Sequence, residues 1–297
     1  MRRRPIAGLL MAAPPVLVVA VFVGFPIATA IAYSLGHVGG LNTTIARIAR
    51  DQHTVDAWWQ QTFGAYTDVL GDARVVRDLM TTVTVTFVTT VVVVVLAWVI
   101  ALYLRFSGSR AAQVLAALAV VPMFIPVVIA SWAILTFYAG DGFVRSVAAQ
   151  LGGEAPTLGY TVTCITIAMI WTSLPFATLM VTSGVQSVPN ALIEAAADAG
   201  ASLPRIVRSV LLPLSVVPTV IAATFTAIAT LGAFTVPYFT GPNAPTMLGV
   251  DMAAFFQSYN LPQQAVVIAV IVFVIAAGIG ALYVWANLRA ARDAGRI

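Results

Sequence analysis

Glu194 and Asp198 stand four residues apart, the spacing that sets two carboxylates one turn apart on a helix. Such a pair serves proton transfer or metal binding when a histidine or a further acid completes it. None is near: His37 and His53, the two histidines, fall far upstream, and Asp141, Glu154 and Asp251, which a membrane enzyme acting on lipid would need clustered, are scattered. A phosphate-gripping G-x-x-x-x-G-K-[ST] loop needs a lysine, and the chain has none. The residues therefore offer no catalytic, metal or cofactor-binding constellation. They offer contact instead: Glu194-Ala195-Ala196-Ala197-Asp198-Ala199-Gly200-Ala201-Ser202 is a polar island with small side chains, placed between two long apolar segments where another protein can grip it.

Composition dictates what must position that island. Of 297 residues 60% are hydrophobic and 9% charged, with a mean hydropathy of +0.97, whereas soluble domains carry about 25% charged residues. The chain is an integral membrane protein. A hydrocarbon core about 30 Å thick takes about 20 apolar residues per helix, and six uncharged stretches reach that length, near 7–34, 80–104, 112–139, 158–186, 209–231 and 264–288. The expected fold class is all-α, a polytopic membrane protein with six transmembrane helices in one domain, 1–297. None of the six carries Asp, Glu, Lys, Arg or His, unlike the spans of proton- or ion-driven carriers. The first stretch follows Arg2, Arg3 and Arg4 but exceeds a signal-peptide core of roughly 7–15 residues. It is expected to be a retained helix, kinked by Pro14, Pro15 and Pro26 and packed on its neighbours.

Arginine supplies every basic side chain and sets the orientation. With the N terminus inside, Arg2, Arg3, Arg4, Arg105, Arg110, Arg205, Arg208, Arg289, Arg292 and Arg296 are cytoplasmic, twice as many as the outer Arg47, Arg50, Arg74, Arg77 and Arg145. Both termini are then cytoplasmic. Eight acids, Asp251 among them, fall outside, so the basic pI reflects topology and not nucleic acid. The outer loop, about 35–79, holds interfacial aromatics, and a short surface helix is expected over Val69–Met80, with Arg74 and Asp78 at i, i+4. The connection 232–262, rich in proline and glycine, is expected to be irregular and to line an outer mouth. Cys164, alone in the fourth stretch, is expected to be a small buried hydrophobe.

Around the island, Pro189 starts a short helix with Asn190 or Ser187 as its cap. Leu192, Ala195, Ala196 and Ala199 share one face, with Glu194 and Asp198 on another. Gly200 turns the chain, and Ser202 and Pro204 open a second helix carrying Arg205 and Arg208 toward Leu211-Leu212-Pro213. A cytoplasmic helix-turn-helix knob over about 187–208 is expected. A helix resting on the bilayer would show a wider apolar face and more basic residues.

These residues resemble the coupling motif of permease subunits of binding-protein-dependent (type I) ABC importers: E-A-A, a glycine after three residues, then an apolar-Pro pair. Glu194, Ala195, Ala196, Gly200, Leu212 and Pro213 fill those places. The likeness is strong over roughly 160–235 and loose over the rest. It implies a MetI-like permease fold in a bacterial inner membrane and a non-catalytic subunit that binds no cofactor itself. The implied partners are a second permease, two cytoplasmic subunits that use ATP and Mg, and an external solute-binding protein. Its ATPase-coupling residues would be Glu194, Ala195, Ala196, Asp198, Gly200, Ala201, Leu212 and Pro213.

Asp198, one residue removed from Gly200, is more similar to the E-A-A-x-D-L-G-A-S of polyamine, iron and oxyanion permeases than to the E-A-A-x-x-D-G-A of sugar permeases, although Ala199 replaces the leucine. Pro237-Tyr238-Phe239-Thr240-Gly241-Pro242, Met247-Leu248-Gly249 and Asn260-Leu261-Pro262 also look like polyamine permeases. The resemblance thus points to the spermidine/putrescine branch, with sugar, iron and oxyanion importers as alternatives. An acidic outer surface would concentrate a cation. Pathway candidates within the spans are neutral or aromatic: Thr172, Ser173, Thr226, Thr230 and Tyr238. The rival is an ATP-independent channel or carrier, in which the knob is only a structural loop.

Overall fold

A computed structural model describes residues 4–36 and 58–293 of the chain. His37, His53, Arg47 and Arg50, with nearly half of the expected outer loop, lie outside the described residues. Five helical stretches are long and apolar enough to cross a membrane: Met11–Ser34, Ala73–Ser107, Val127–Gln150, Val162–Gln186 and Pro262–Arg289. The bent pair Leu203–Leu214 and Val216–Leu231, at 72°, makes a sixth when taken as one span. No strand occurs among the described residues, and the fold is the all-α membrane architecture that the hydropathy pattern predicts.

Prolines explain where helices depart from the expected boundaries. The stretch expected as one span over 112–139 is split into a helix Arg110–Val120, a 3-10 turn Val121–Phe124 and a helix Val127–Tyr138. Ile125, forced toward extended backbone by Pro126, adopts φ −98° and ψ 123°. Wider π turns at Ala20–Gly24 and Val207–Leu211 each stand just before a proline, Pro26 and Pro213. A proline has no N–H, so the carbonyl one turn back loses its partner and the ladder loosens there.

The chain divides into two compact units. One comprises Met1–Val76 and Asp251–Phe273. In it, Met11–Phe25 are exposed along their length, and among the described residues the packing expected of the first span is found at its far end, where the buried Ser34 hydroxyl bonds the Tyr66 hydroxyl at 2.8 Å and the Ser34 carbonyl accepts from the Gln263 amide at 3.3 Å. Val16–Val19, Val21, Phe22 and Val23 make the segment apolar all round, a pattern suited to cover by lipid or another chain. The expected surface helix Val69–Met80 is replaced by a break at Asp72 between helices Trp58–Gly71 and Ala73–Ser107. The Asp72 carboxylate accepts the Arg74 N–H at 2.8 Å and so caps the longer helix. Arg74 donates to Asp251 at 3.1 Å and to the Tyr259 hydroxyl at 2.6 Å. Asp251, expected on an acidic outer surface, is instead fully buried in the first turn of helix Leu248–Gln257, where the helix dipole favours a carboxylate.

The other unit comprises Arg77–Val250 and Val274–Ile297. Its core joins Val93, Ala97 and Ala101 to Ala177, Val181 and Val185, two stripes at four-residue spacing whose small side chains let helices approach closely. Gly184, Leu211 and Ala222 continue this packing. The connection expected to be irregular holds two helices, Thr235–Thr240 and Leu248–Gln257, and between them two backbone N–H groups are satisfied by side chains of the long helix Ala73–Ser107. Asp78, fully buried, accepts the Thr246 N–H at 3.0 Å, and the Thr82 hydroxyl accepts that of Leu248 at 2.9 Å. Gly241 and Gly249 are required for space: a Cβ on the former would sit 2.6 Å from Ile165 Cδ1, and one on the latter would overlap the Ala233 carbonyl.

Candidate functional site

The island forms a helix, Asn190–Asp198, whose end is closed by a Schellman turn. Gly200 adopts φ 78°, its N–H donates to the Ala197 carbonyl at 2.8 Å, and the Ala201 N–H donates to the Ala196 carbonyl at 3.0 Å. Leu192, Glu194, Ala195, Asp198, Ala199 and Gly200 are exposed, whereas Ala196 and Ala201 are half-buried. Ile193, not singled out by the sequence pattern, anchors the knob by packing on the core cluster that includes Val188 and Leu211. Leu212 and Pro213 face outward beyond the second helix, and it is Leu211 that seats this end.

The expected caps are not formed. Pro189 occupies the cap position with no side-chain bond, and Ser187 donates to the Gly184 carbonyl at 2.8 Å. Asn190 turns its side-chain oxygen to Arg105, which donates to it at 2.6 Å and to the Val188 carbonyl at 2.7 Å. A guanidinium offers several donors at fixed angles, so it replaces a local cap with a tie to another helix. Only its position in the last turn of Ala73–Ser107 hinted at this.

A Gly200→Ala chain remains folded. The added Cβ meets no atom within 4 Å, so the cost is that of a left-handed backbone, about 1–2 kcal/mol. Thermal unfolding in detergent is expected to shift down by a few degrees at most.

The second feature is a cavity of about 390 Å³ lined by Thr172, Ser173 and Phe176 on helix Val162–Gln186, by Phe225, Thr226 and Ala229 on helix Val216–Leu231, and by the segment Ala233 to Val236. Val127 and Met169 complete the wall, and no charged side chain lines it. The rings of Phe176 and Phe225 lie 5.6 Å apart. Thr172 donates its hydroxyl proton to the Ala168 carbonyl at 2.9 Å, which leaves its oxygen as an acceptor toward the cavity. Three of the five pathway candidates, Thr172, Ser173 and Thr226, thus come together. Thr230 is fully buried away from the cavity wall, and Tyr238 is exposed with its ring tilted against that of Phe234, centroids 5.2 Å apart. Cys164 is buried, as expected.

The chain is 31% identical over 125 residues to the sulfoquinovosyl glycerol transport system permease SmoG of Agrobacterium fabrum, covering 40% of each chain. It is 30% identical over 173 residues to the trehalose/maltose transport system permease MalF of Thermococcus litoralis, covering 54% of this chain and 58% of that one. The chain spans about half the length of the curated relatives it matches. Its fold is similar to a chain of a bacterial ABC transporter that imports the acidic polysaccharide alginate, with a TM-score of 0.71 at 15% identity over 98% of this chain and 96% of that one. A family model matches residues 93–291, two thirds of the chain and both features described above. The chain belongs to the family of binding-protein-dependent transport system inner membrane components.

Proposed function

We propose that this chain is the solute-conducting subunit of an ATP-driven importer and that the Asn190–Asp198 knob is where a separate ATPase docks. The observation that carries the proposal is the knob itself: a helix closed by a rigid turn, exposing Leu192, Glu194, Ala195 and Asp198 while Ile193 roots it in the core. Side chains that the chain leaves uncovered on so short and well-anchored a helix suit a groove on a partner. Both termini and the knob lie on the cytoplasmic side, as the arginine distribution favours. The assembly comprises two ATP-binding subunits that use ATP and Mg, a second permease and an external solute-binding protein. Closure of the ATPases draws on the knob, the spans rock, and the cavity opens outward; ATP hydrolysis resets it.

The solute is proposed to be neutral and rich in hydroxyl groups, of the sugar or glycoside class. A cavity of aromatic rings with threonine and serine hydroxyls and no carboxylate suits such a molecule better than a polyamine, whose charge would need acidic partners. The outer-loop likeness to polyamine permeases carries little against this, because Gly241 and Gly249 answer to packing. The transport systems named for the curated relatives, for sulfoquinovosyl glycerol and for trehalose and maltose, support the sugar class. ATP-dependent uptake into vesicles holding the full assembly tests it: neutral saccharides compete and spermidine does not. A Thr172→Val, Thr226→Val variant removes two neutral hydroxyls worth about 1 kcal/mol each, and uptake at subsaturating solute is expected to fall by about thirtyfold with the ATPase still bound. Competition by spermidine alone would return the assignment to the polyamine branch.

A further inference from the structure

The loop carrying the knob enters from helix Val162–Gln186 and leaves through Leu203–Leu214, ending at the 72° bend before helix Val216–Leu231. One helix, Ala73–Ser107, holds both flanks of that loop. At the entrance, Arg105 donates to the Val188 carbonyl at 2.7 Å, to the Asn190 side chain at 2.6 Å and, more weakly, to the Gln186 carbonyl at 3.5 Å. At the exit, the Trp98 indole donates to the Thr219 hydroxyl at 3.2 Å, and that hydroxyl donates to the Ser215 carbonyl at 2.7 Å, at the bend itself. Trp98 and Arg105 are two helical turns apart and share one face of a single rigid element.

An arginine near a helix end can satisfy carbonyls of its own last turn. Arg105 instead reaches the last carbonyl of one neighbouring helix, the Val188 carbonyl just beyond it and the first side chain of the next helix. A loop tied at one flank can swing without moving what lies beyond it; a loop tied at both flanks to the same helix cannot. We infer that Arg105 and Trp98 form a two-point strut that makes the knob and its two flanking helices move as one body. A displacement at the knob is then delivered through the Ser215 bend to helix Val216–Leu231, which carries Phe225 and Thr226 of the cavity wall. Both are positioning residues, acting through Asn190 and Thr219. The inference rests on the knob being the ATPase docking element.

The test uses the purified assembly of permease, ATPase and binding protein in vesicles, with solute moved per ATP hydrolysed as the readout. Arg105→Met keeps an unbranched apolar stem and removes the donors; Trp98→Phe keeps an aromatic ring, though a smaller one, and removes the indole N–H. Both variants are expected to retain the ATPase and its basal hydrolysis. Solute moved per ATP is expected to fall by about tenfold in Arg105→Met, as the loss of charge-assisted hydrogen bonds implies, by less in Trp98→Phe, and to recover in part in Arg105→Lys. Wild-type coupling in both Arg105→Met and Trp98→Phe overturns the strut. If Arg105→Met does not assemble, unchanged coupling in Trp98→Phe overturns it alone. A wild-type chain that brings down no ATPase overturns instead the docking role on which the strut rests.

Discussion

A Glu194→Arg, Gly200→Pro variant is expected to purify as a folded membrane protein that brings no ATPase with it, and ATP-driven uptake is expected to fall to background. The two changes strike the knob without touching the core, because Glu194 and Gly200 are both exposed. Gly200 holds φ 78°, whereas proline fixes φ near −65°. Proline also lacks the N–H that Gly200 donates to the Ala197 carbonyl at 2.8 Å, so the Schellman turn opens. Arginine at 194 reverses the charge that Glu194 presents one turn from Asp198. Co-purification separates docking from folding, since the variant still elutes at its expected size. An ATPase that co-elutes undiminished while uptake is lost would move the docking site away from the knob.

Much of that knob is legible in the sequence, because its determinants are local. Glycine at 200 meets a turn that needs positive φ, and four-residue spacing sets Glu194 and Asp198 on an exposed face. The all-α membrane architecture is likewise local, a matter of apolar run length. What escapes is carried by contacts between residues far apart in the chain. Arg105 meets Val188 and Asn190, Arg74 meets Asp251, and Asp78 meets Thr246; each charge reads as an ordinary surface group until the helices are assembled. The cavity shows the same limit at finer scale. Thr226 and Thr230 have the same one-turn spacing that identifies a helix face, yet the wall passes through Thr226 and Ala229 and leaves Thr230 buried. A residue pattern gives the face of a helix, but only its neighbours decide which edge of that face opens on space. The third apolar run fails as a single span because its length outweighed Pro122 and Pro126, which break it.

Gly184→Ala is expected to destabilise the chain where the same change in an open helix would stabilise it. Replacing glycine by alanine inside a helix ordinarily gains roughly 0.5–1 kcal/mol, because alanine loses less backbone freedom on folding. At position 184 the new Cβ would overlap the Pro218 ring and lie 3.5 Å from the Ser215 Cβ. A proline ring cannot rotate aside, so helix Val162–Gln186 must part from helix Val216–Leu231 at the bend. The packing around Val181, Val185, Leu211 and Ala222 then loosens. Overpacking of a closed interior costs about 1–3 kcal/mol, which exceeds the gain, so the net sign is a loss. Gly184→Leu, with a longer side chain in the same gap, is expected to prevent accumulation of the folded protein. Pro218→Ala supplies the control: it removes the ring Cγ, the atom that the new Cβ would strike hardest, and the rigidity of the ring, so the Gly184→Ala, Pro218→Ala pair should unfold at a higher temperature than the additive sum of the singles predicts. Strict additivity, or a Gly184→Ala chain that melts above wild type, would show that the close approach of these two helices does not limit the fold.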